Sequence, residues 1–292
     1  MKKIEKFALN FLPYLWLVLF VAIPLCILLK ISFSEPIIGR PPYGDIVSWI
    51  GSKTLQLKFS LVNFSSIFED ELYFYTYFIS LKIAFLSALL CLFLGYPLAY
   101  SIATATQKWR IILLMLVMLP FWTSFLIRVY AWIALLSPVG IINNFMMGFG
   151  FIDQPLPLSG NMPAVIIGIT YCYLPFMILP IYASLQRLDP VLLEAAYDLG
   201  ARPLRTFMRV TLPLSYGGIL SGFMLVFIPA VGEFVIPELL GGTETLTIGR
   251  IIWGEFFHNR DWPISAAIAV ALMILIALPL LLTQRLQKKI RR

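Results

Sequence analysis

The sequence predicts an all-α, polytopic membrane protein with six transmembrane helices, and three observations carry that expectation. Of 292 residues, 60% are hydrophobic and 13% charged, too few charges to cover a soluble domain of this length. Apolar runs of about 20 residues, the length a helix needs to cross a hydrocarbon core at ~1.5 Å per residue, recur along the whole chain. Lys and Arg are unevenly divided between the segments that join those runs.

The spans fall near Leu9–Ile31, Tyr77–Ala103, Ile111–Leu136, Met162–Leu185, Gly217–Leu240 and Pro263–Thr283, within one transmembrane domain over residues 1–292. Lys2, Lys3 and Lys6 precede the first, as in a signal peptide. Its apolar stretch is too long and lacks a small-residue cleavage site, so it reads as a retained helix. "IPLC" at Ile23–Cys26 is a poor lipoprotein signal, because a bulky leucine precedes the cysteine. With the N-terminus inside, 14 Lys and Arg lie in inner segments, against five in outer loops: Arg40, Lys53, Lys58, Arg250 and Arg260. That bias sets both termini in the cytoplasm. It also accounts for the net charge of +7 as anchoring beside an anionic leaflet, with no nucleic acid required.

The outer loops carry nine acids, Glu35, Asp45, Glu69, Asp70, Glu71, Asp153, Glu244, Glu255 and Asp261. An acidic mouth steers cations inward; equally, short outer loops avoid positive charge during insertion. Cys26, Cys91 and Cys172 sit in apolar runs without C-x-x-C spacing, which indicates neither a disulfide framework nor a metal site. Lys82 snorkels outward at the end of the second span. His258 lies in the last outer loop, as a surface residue or a contact for a partner.

The inner loop at 186–216 reads "QRLDPVLLEAAYDLGARPLRTFMRVTLP". Asp189 and Pro190 begin a helix, as an N-cap carboxylate followed by proline at the first helical position. Gly200 stops it in a left-handed conformation. Arg202 and Pro203 then open a second short helix towards Pro213. Ala195, Ala196 and Leu199 form a small apolar face suited to a groove, although an interfacial connector would read similarly.

"EAAYDLGARPLRTFMRVTLP" resembles the EAA loop of ABC importer permeases: E-A-A, three residues, G, nine residues, then I-x-L-P. Glu194, Ala195, Ala196, Gly200, Val210, Leu212 and Pro213 supply it here, with valine in place of isoleucine. The resemblance implies a type I importer permease fold. It also implies a coupling loop in which Glu194, Ala195, Ala196, Asp198, Gly200 and Arg202 meet a cytoplasmic ATPase. The chain has no G-x-x-x-x-G-K-[ST] phosphate loop, so it is no enzyme, binds no cofactor itself, and would draw on ATP-Mg used by a separate ATPase dimer.

"LPFWTSFLIRVYAW", "YCYLPFMILPIYASL", "LVFIPAVGEFVIPELLGG" and "EFFHNRDWP" extend the resemblance over nearly the whole chain, to the permeases of spermidine/putrescine importers and most closely to putrescine permeases. That family implies a second homologous permease, an extracytoplasmic polyamine-binding protein and alternating access. The same machine with another small solute is the alternative; a stand-alone secondary transporter or channel would leave the loop unexplained.

A polyamine needs carboxylates for its ammonium groups and aromatic faces between them. Candidates along a pathway are Trp122, Tyr130, Trp132, Tyr171, Tyr173, Arg128, Glu233 and Glu238. Arg128 lies 17 residues into the third span and Glu233 16 into the fifth. Both spans run outward, so at ~1.5 Å per residue both sit about 24–26 Å from the inner boundary. At matched depth they would pair, each offsetting the other's desolvation, or line the path. G-E-F at this place also resembles permeases for sulfate and molybdate, so Glu238, nearer the outer rim, is the better specificity candidate. Pro229, Gly232 and Pro237 weaken the fifth span, which suits a helix lining a cavity.

Overall fold

The computed structural model describes residues 11, 13–50 and 54–290. Lys2, Lys3, Lys6, Lys53, Arg291 and Arg292, which entered the charge count, lie outside the described residues. Backbone contacts divide the chain into two compact units, Met1–Tyr75 with Ile251–Ala277 and Thr76–Arg250 with Leu278–Arg292.

In the first unit, α1 (Pro13–Ser32) is apolar around its circumference and leaves Trp16, Phe20 and Ile27 exposed, as a helix facing lipid does. Serine hydroxyls close its end: Ser32 bonds back to Leu29 O (2.8 Å) and Ser34 to Lys30 O (3.1 Å). Asn63, on α2 (Val62–Glu69), donates its amide to the carbonyls of both Ser32 and Ser34 (3.0 and 2.8 Å). The segment between carries an antiparallel hairpin, β1 (Val47–Ile50) with β2 (Thr54–Leu57), Val47 opposite Leu57. Asp261 accepts from Ile264 N at the start of the last helix, and Trp262 stacks on Phe256 with centroids 4.8 Å apart.

The second unit holds the rest of α3 (Glu71–Thr104), then α4 (Gln107–Met118), α5 (Phe125–Leu136), α6 (Ile141–Gly148), α7 (Met162–Leu185), α8 (Pro190–Asp198), α9 (Pro203–Leu214), α10 (Tyr216–Val231) and α11 (Val235–Leu240). α12 (Ile248–Gly254) and α13 (Trp262–Ile290) complete the chain. The centre is α7, started by the Asn161 side chain accepting from Ala164 N (3.0 Å) and buried along Val165, Ile169, Met177, Ile178 and Ile181. α10 packs against it through Gly218, where a Cβ would come within 2.7 Å of the Pro180 carbonyl and 2.5 Å of the Ser184 side chain. A missing side chain thus lets two backbones touch, as small residues do between membrane helices.

Two expected spans are broken. The third is not one helix: α4 tightens into a 3-10 turn at Leu119–Trp122, Thr123 and Ser124 are non-helical, and α5 starts afresh. The Thr123 hydroxyl donates to Pro120 O (2.6 Å), fixing the break. The fifth stops at Val231 and restarts at Val235, leaving Gly232, Glu233 and Phe234 between α10 and α11. Pro237 has no N–H to continue the ladder across that gap. At the other end of α10, Ser215 marks a 63° bend from α9.

Gly218→Val is expected to force α7 and α10 apart and destabilise the protein by about 1–3 kcal/mol. The neighbouring Gly217→Val, where a Cβ meets open space, serves as the control. Thermal unfolding in detergent distinguishes the two.

Candidate functional site

Glu233 occupies the break between α10 and α11, and its partners explain how a carboxylate stands among apolar helices. Oε2 accepts the Tyr173 hydroxyl at 2.6 Å and Oε1 accepts Val235 N–H, the first amide of α11, at 3.0 Å. A helix start leaves its first N–H groups without intrahelical acceptors, so breaking the helix supplies a donor at the point where the charge sits. Tyr173 comes from the middle of α7, and its ring lies 6.0 Å from that of Phe176.

Arg128 lies in the first turn of α5, 8% exposed, with its guanidinium over the rings of Phe121 and Phe125 (5.6 and 5.7 Å). It does not pair with Glu233: among the described residues the ion pairs are Lys30–Asp45 and Arg250–Glu238. Depth matching assumes straight helices. The breaks at Thr123–Ser124 and Gly232–Phe234 restart the turn of each span, so equal depth no longer puts the two groups face to face. α11 nonetheless packs on α5, and both pack on α7.

Glu238 is not a free carboxylate. Its Oε2 receives Arg250 Nε at 2.6 Å, and Arg250 Nη1 also bonds the carbonyls of Gly242 (2.6 Å) and Thr245 (3.1 Å). Arg250, on α12, thereby ties the 241–247 loop to α11. The Glu238 side chain remains 55% exposed and that of Arg250 only 17%. Arg250, one of the bases of the outer loops, carries no sequence signal that it reaches back twelve residues.

The aromatic candidates separate. Trp132 on α5 and Tyr171 on α7 pack edge to face at 5.6 Å. Trp122, 82% exposed, and Tyr130, 57% exposed, point away from the unit's interior.

The α8–α9 segment forms the expected helical hairpin. Asp189 accepts from Val191 N (3.0 Å) at the start of α8. Its end is a Schellman arrangement: Ala201 N–H bonds Ala196 O (3.0 Å), Gly200 N–H bonds Tyr197 O (2.8 Å), and Gly200 has φ +77°. Glu194, Ala195, Asp198 and Arg202 are exposed, Ala196 is half-buried, and Leu199 is 88% exposed. Side chains hold the hairpin to the rest of the unit. Arg110 bonds Gln186 Oε1 (2.9 Å), and both donate to Ala103 O at the end of α3. Phe207 packs edge-on against Tyr96 and Tyr100, and the Tyr96 hydroxyl meets Ser215 Oγ at 2.9 Å.

The first unit contains a cavity of about 570 Å³ lined by Glu35, Asp70, Glu255 and Asp261, with Asn63 and Tyr73. Four of the outer-loop acids thus converge, which sequence spacing did not reveal.

Tyr173→Phe is expected to leave the Glu233 carboxylate one donor short and to cost about 1–3 kcal/mol. The purified protein would then melt earlier, while Tyr171→Phe, which removes no donor to Glu233, would leave the transition nearly unchanged.

The chain is similar to known transport proteins. The family model described as "binding-protein-dependent transport system inner membrane component" matches residues 92–292. Spermidine/putrescine transport system permease protein PotB of Escherichia coli (strain K12) is 40% identical over 277 residues, covering 95% of this chain and 96% of that protein. PotB of Haemophilus influenzae is 38% identical over 277 residues, covering 95% and 92%. A chain from the crystal structure of a bacterial ABC transporter involved in import of the acidic polysaccharide alginate superposes with TM-score 0.73 at 19% identity, covering 100% and 99%. At that identity the likeness concerns the fold, that of an importer permease. With the family matched over most of its length, this chain belongs to the inner-membrane permeases of binding-protein-dependent ABC transport systems.

Proposed function

We propose that the chain is one of two homologous membrane subunits of an ATP-driven polyamine importer, moving putrescine or spermidine by alternating access. The observation that carries the importer reading is the α8–α9 hairpin. It presents exposed Glu194, Ala195, Asp198, Leu199 and Arg202 around a left-handed glycine, and it is tied firmly to the helices behind it. An ATPase dimer is its occupant, supplying the ATP-Mg chemistry that this chain lacks. The hairpin and both termini lie in the cytoplasm of a bacterial inner membrane, and an extracytoplasmic polyamine-binding protein docks on the opposite side.

Closure of the ATPase dimer would move α8, and α9, which packs directly on α8, would follow. The bend at Ser215 passes that movement to α10, whose far end is the Glu233 break. Such a linkage lets a nucleotide bias two conformations of the path.

The cargo class rests on the polyamine permeases that the chain resembles and on its own chemistry. The cavity among Glu35, Asp70, Glu255 and Asp261 attracts a polycation. Glu233 supplies a carboxylate for an ammonium group, with Tyr173, Tyr171 and Trp132 offering ring faces near the methylenes. Glu238 takes part as the partner of Arg250, a contact that an arriving cation would compete for. Trp122 and Tyr130, exposed on their side of the unit, suit contact with the second permease.

Competition uptake in liposomes holding the complete importer tests the cargo. Unlabelled putrescine or spermidine should suppress labelled putrescine uptake, and unrelated cations should not. Uptake indifferent to polyamines would remove that cargo while leaving the importer. For the hairpin, Glu194→Lys and Gly200→Asp are expected to abolish ATP-dependent uptake, with the subunit still inserted. Wild-type uptake by an assembled Gly200→Asp complex would exclude the coupling role.

A further inference from the structure

The Arg128 guanidinium carries five N–H donors yet hydrogen-bonds none of the described residues, and its buried Nε has no acceptor. What surrounds it is aromatic, Phe121 on one side and Phe125 on the other. Ring faces attract a cation but accept none of those hydrogen bonds well. A buried charge left so in every conformation is costly, so an acceptor belongs to some other state of the molecule. A polyamine, itself a cation, cannot be that acceptor.

Glu233 can. The helix that begins just after it, α11, packs on α5, which carries Arg128, and both of those helices pack on α7. The Glu233 carboxylate receives one bond from Tyr173 and one from Val235, so lone pairs remain. It also sits on the non-helical residues between α10 and α11, where backbone angles change without unwinding a helix.

We propose that Arg128 is the residue that releases the cargo. As the path opens inward, its guanidinium takes the Glu233 carboxylate from the bound ammonium group. When the path resets, the carboxylate returns to Tyr173. A planar guanidinium holds a carboxylate by two parallel hydrogen bonds, which an ammonium group does not match. The proposal rests on Glu233 being a cargo contact.

The test is a double-mutant cycle in the reconstituted importer: wild type, Arg128→Gln, Glu233→Gln and the double variant, with Arg128→Lys alongside. Arg128→Gln should assemble but transport at about a tenth of the maximal rate or less, with an unchanged or lower half-saturating putrescine concentration. Arg128→Lys, whose ammonium lacks the planar pair of donors and competes with the cargo only on equal terms, should recover little of that rate. In the Glu233→Gln background, Arg128→Gln should change the rate by less than about twofold. The same loss in both backgrounds, or loss of the second permease from the Arg128→Gln complex, would overturn the proposal, since the acceptor would then lie elsewhere. Failure of the underlying reading has its own signature. If Glu233→Gln leaves the half-saturating concentration unchanged, Glu233 is no cargo contact and any coupling to Arg128 is that of a structural pair.

Discussion

Hydrocarbon supplies no hydrogen-bond donors, so a carboxylate among membrane helices has to be furnished with them by the protein. Glu233 meets that requirement by interrupting its own helix. The gap between α10 and α11 frees Val235 N–H, and Tyr173 reaches across from α7 to provide the second donor. The device that makes the charge tolerable also leaves non-helical backbone in the middle of a span. The carboxylate and an interruption of the helical ladder therefore coincide, and the surroundings of Glu233 follow from where that interruption falls.

The hairpin stands at the other end of the same connection. α9 meets α10 at Ser215, and the Tyr96 hydroxyl holds that corner. α7 is the fixed surface against which α10 lies, close enough at Gly218 that a side chain would not fit. Movement at the hairpin is then more readily expressed as bending at Gly232–Phe234 than as separation of α7 from α10. In the proposed coupling, rigid packing at one end and an interrupted ladder at the other would give the motion its direction.

The helical class was legible because hydropathy averages over a whole turn and survives local irregularity. The hairpin was equally legible: Asp189-Pro190 starts α8, and Gly200 takes a left-handed angle that few other residues accept. The break in the fifth span was announced by Pro229, Gly232 and Pro237. The break in the third was hidden, because Pro120 sits within an unbroken apolar run and its effect is felt at Thr123. For that reason the depth comparison of Arg128 with Glu233 was sound arithmetic on helices that are not straight. Tyr173 was singled out for its ring, whereas its hydroxyl is what touches Glu233. The Glu238–Arg250 contact spans a loop, and no periodicity links residues across a loop. The convergence of Glu35, Asp70, Glu255 and Asp261 on one cavity is likewise invisible to spacing, since those residues come from separate parts of the chain.

The central claim is that an ammonium group meets the protein at the helix break. A structure of the complete importer, determined with putrescine during turnover, addresses it directly. An amine nitrogen at about 3 Å from a Glu233 carboxylate oxygen, hydrogen-bonding distance, is the expected result, with an aromatic face from Tyr173, Tyr171 or Trp132 alongside. Cargo resolved along the path with Glu233 still held by Tyr173 and Val235 in every state, and no amine beside it, would contradict the claim.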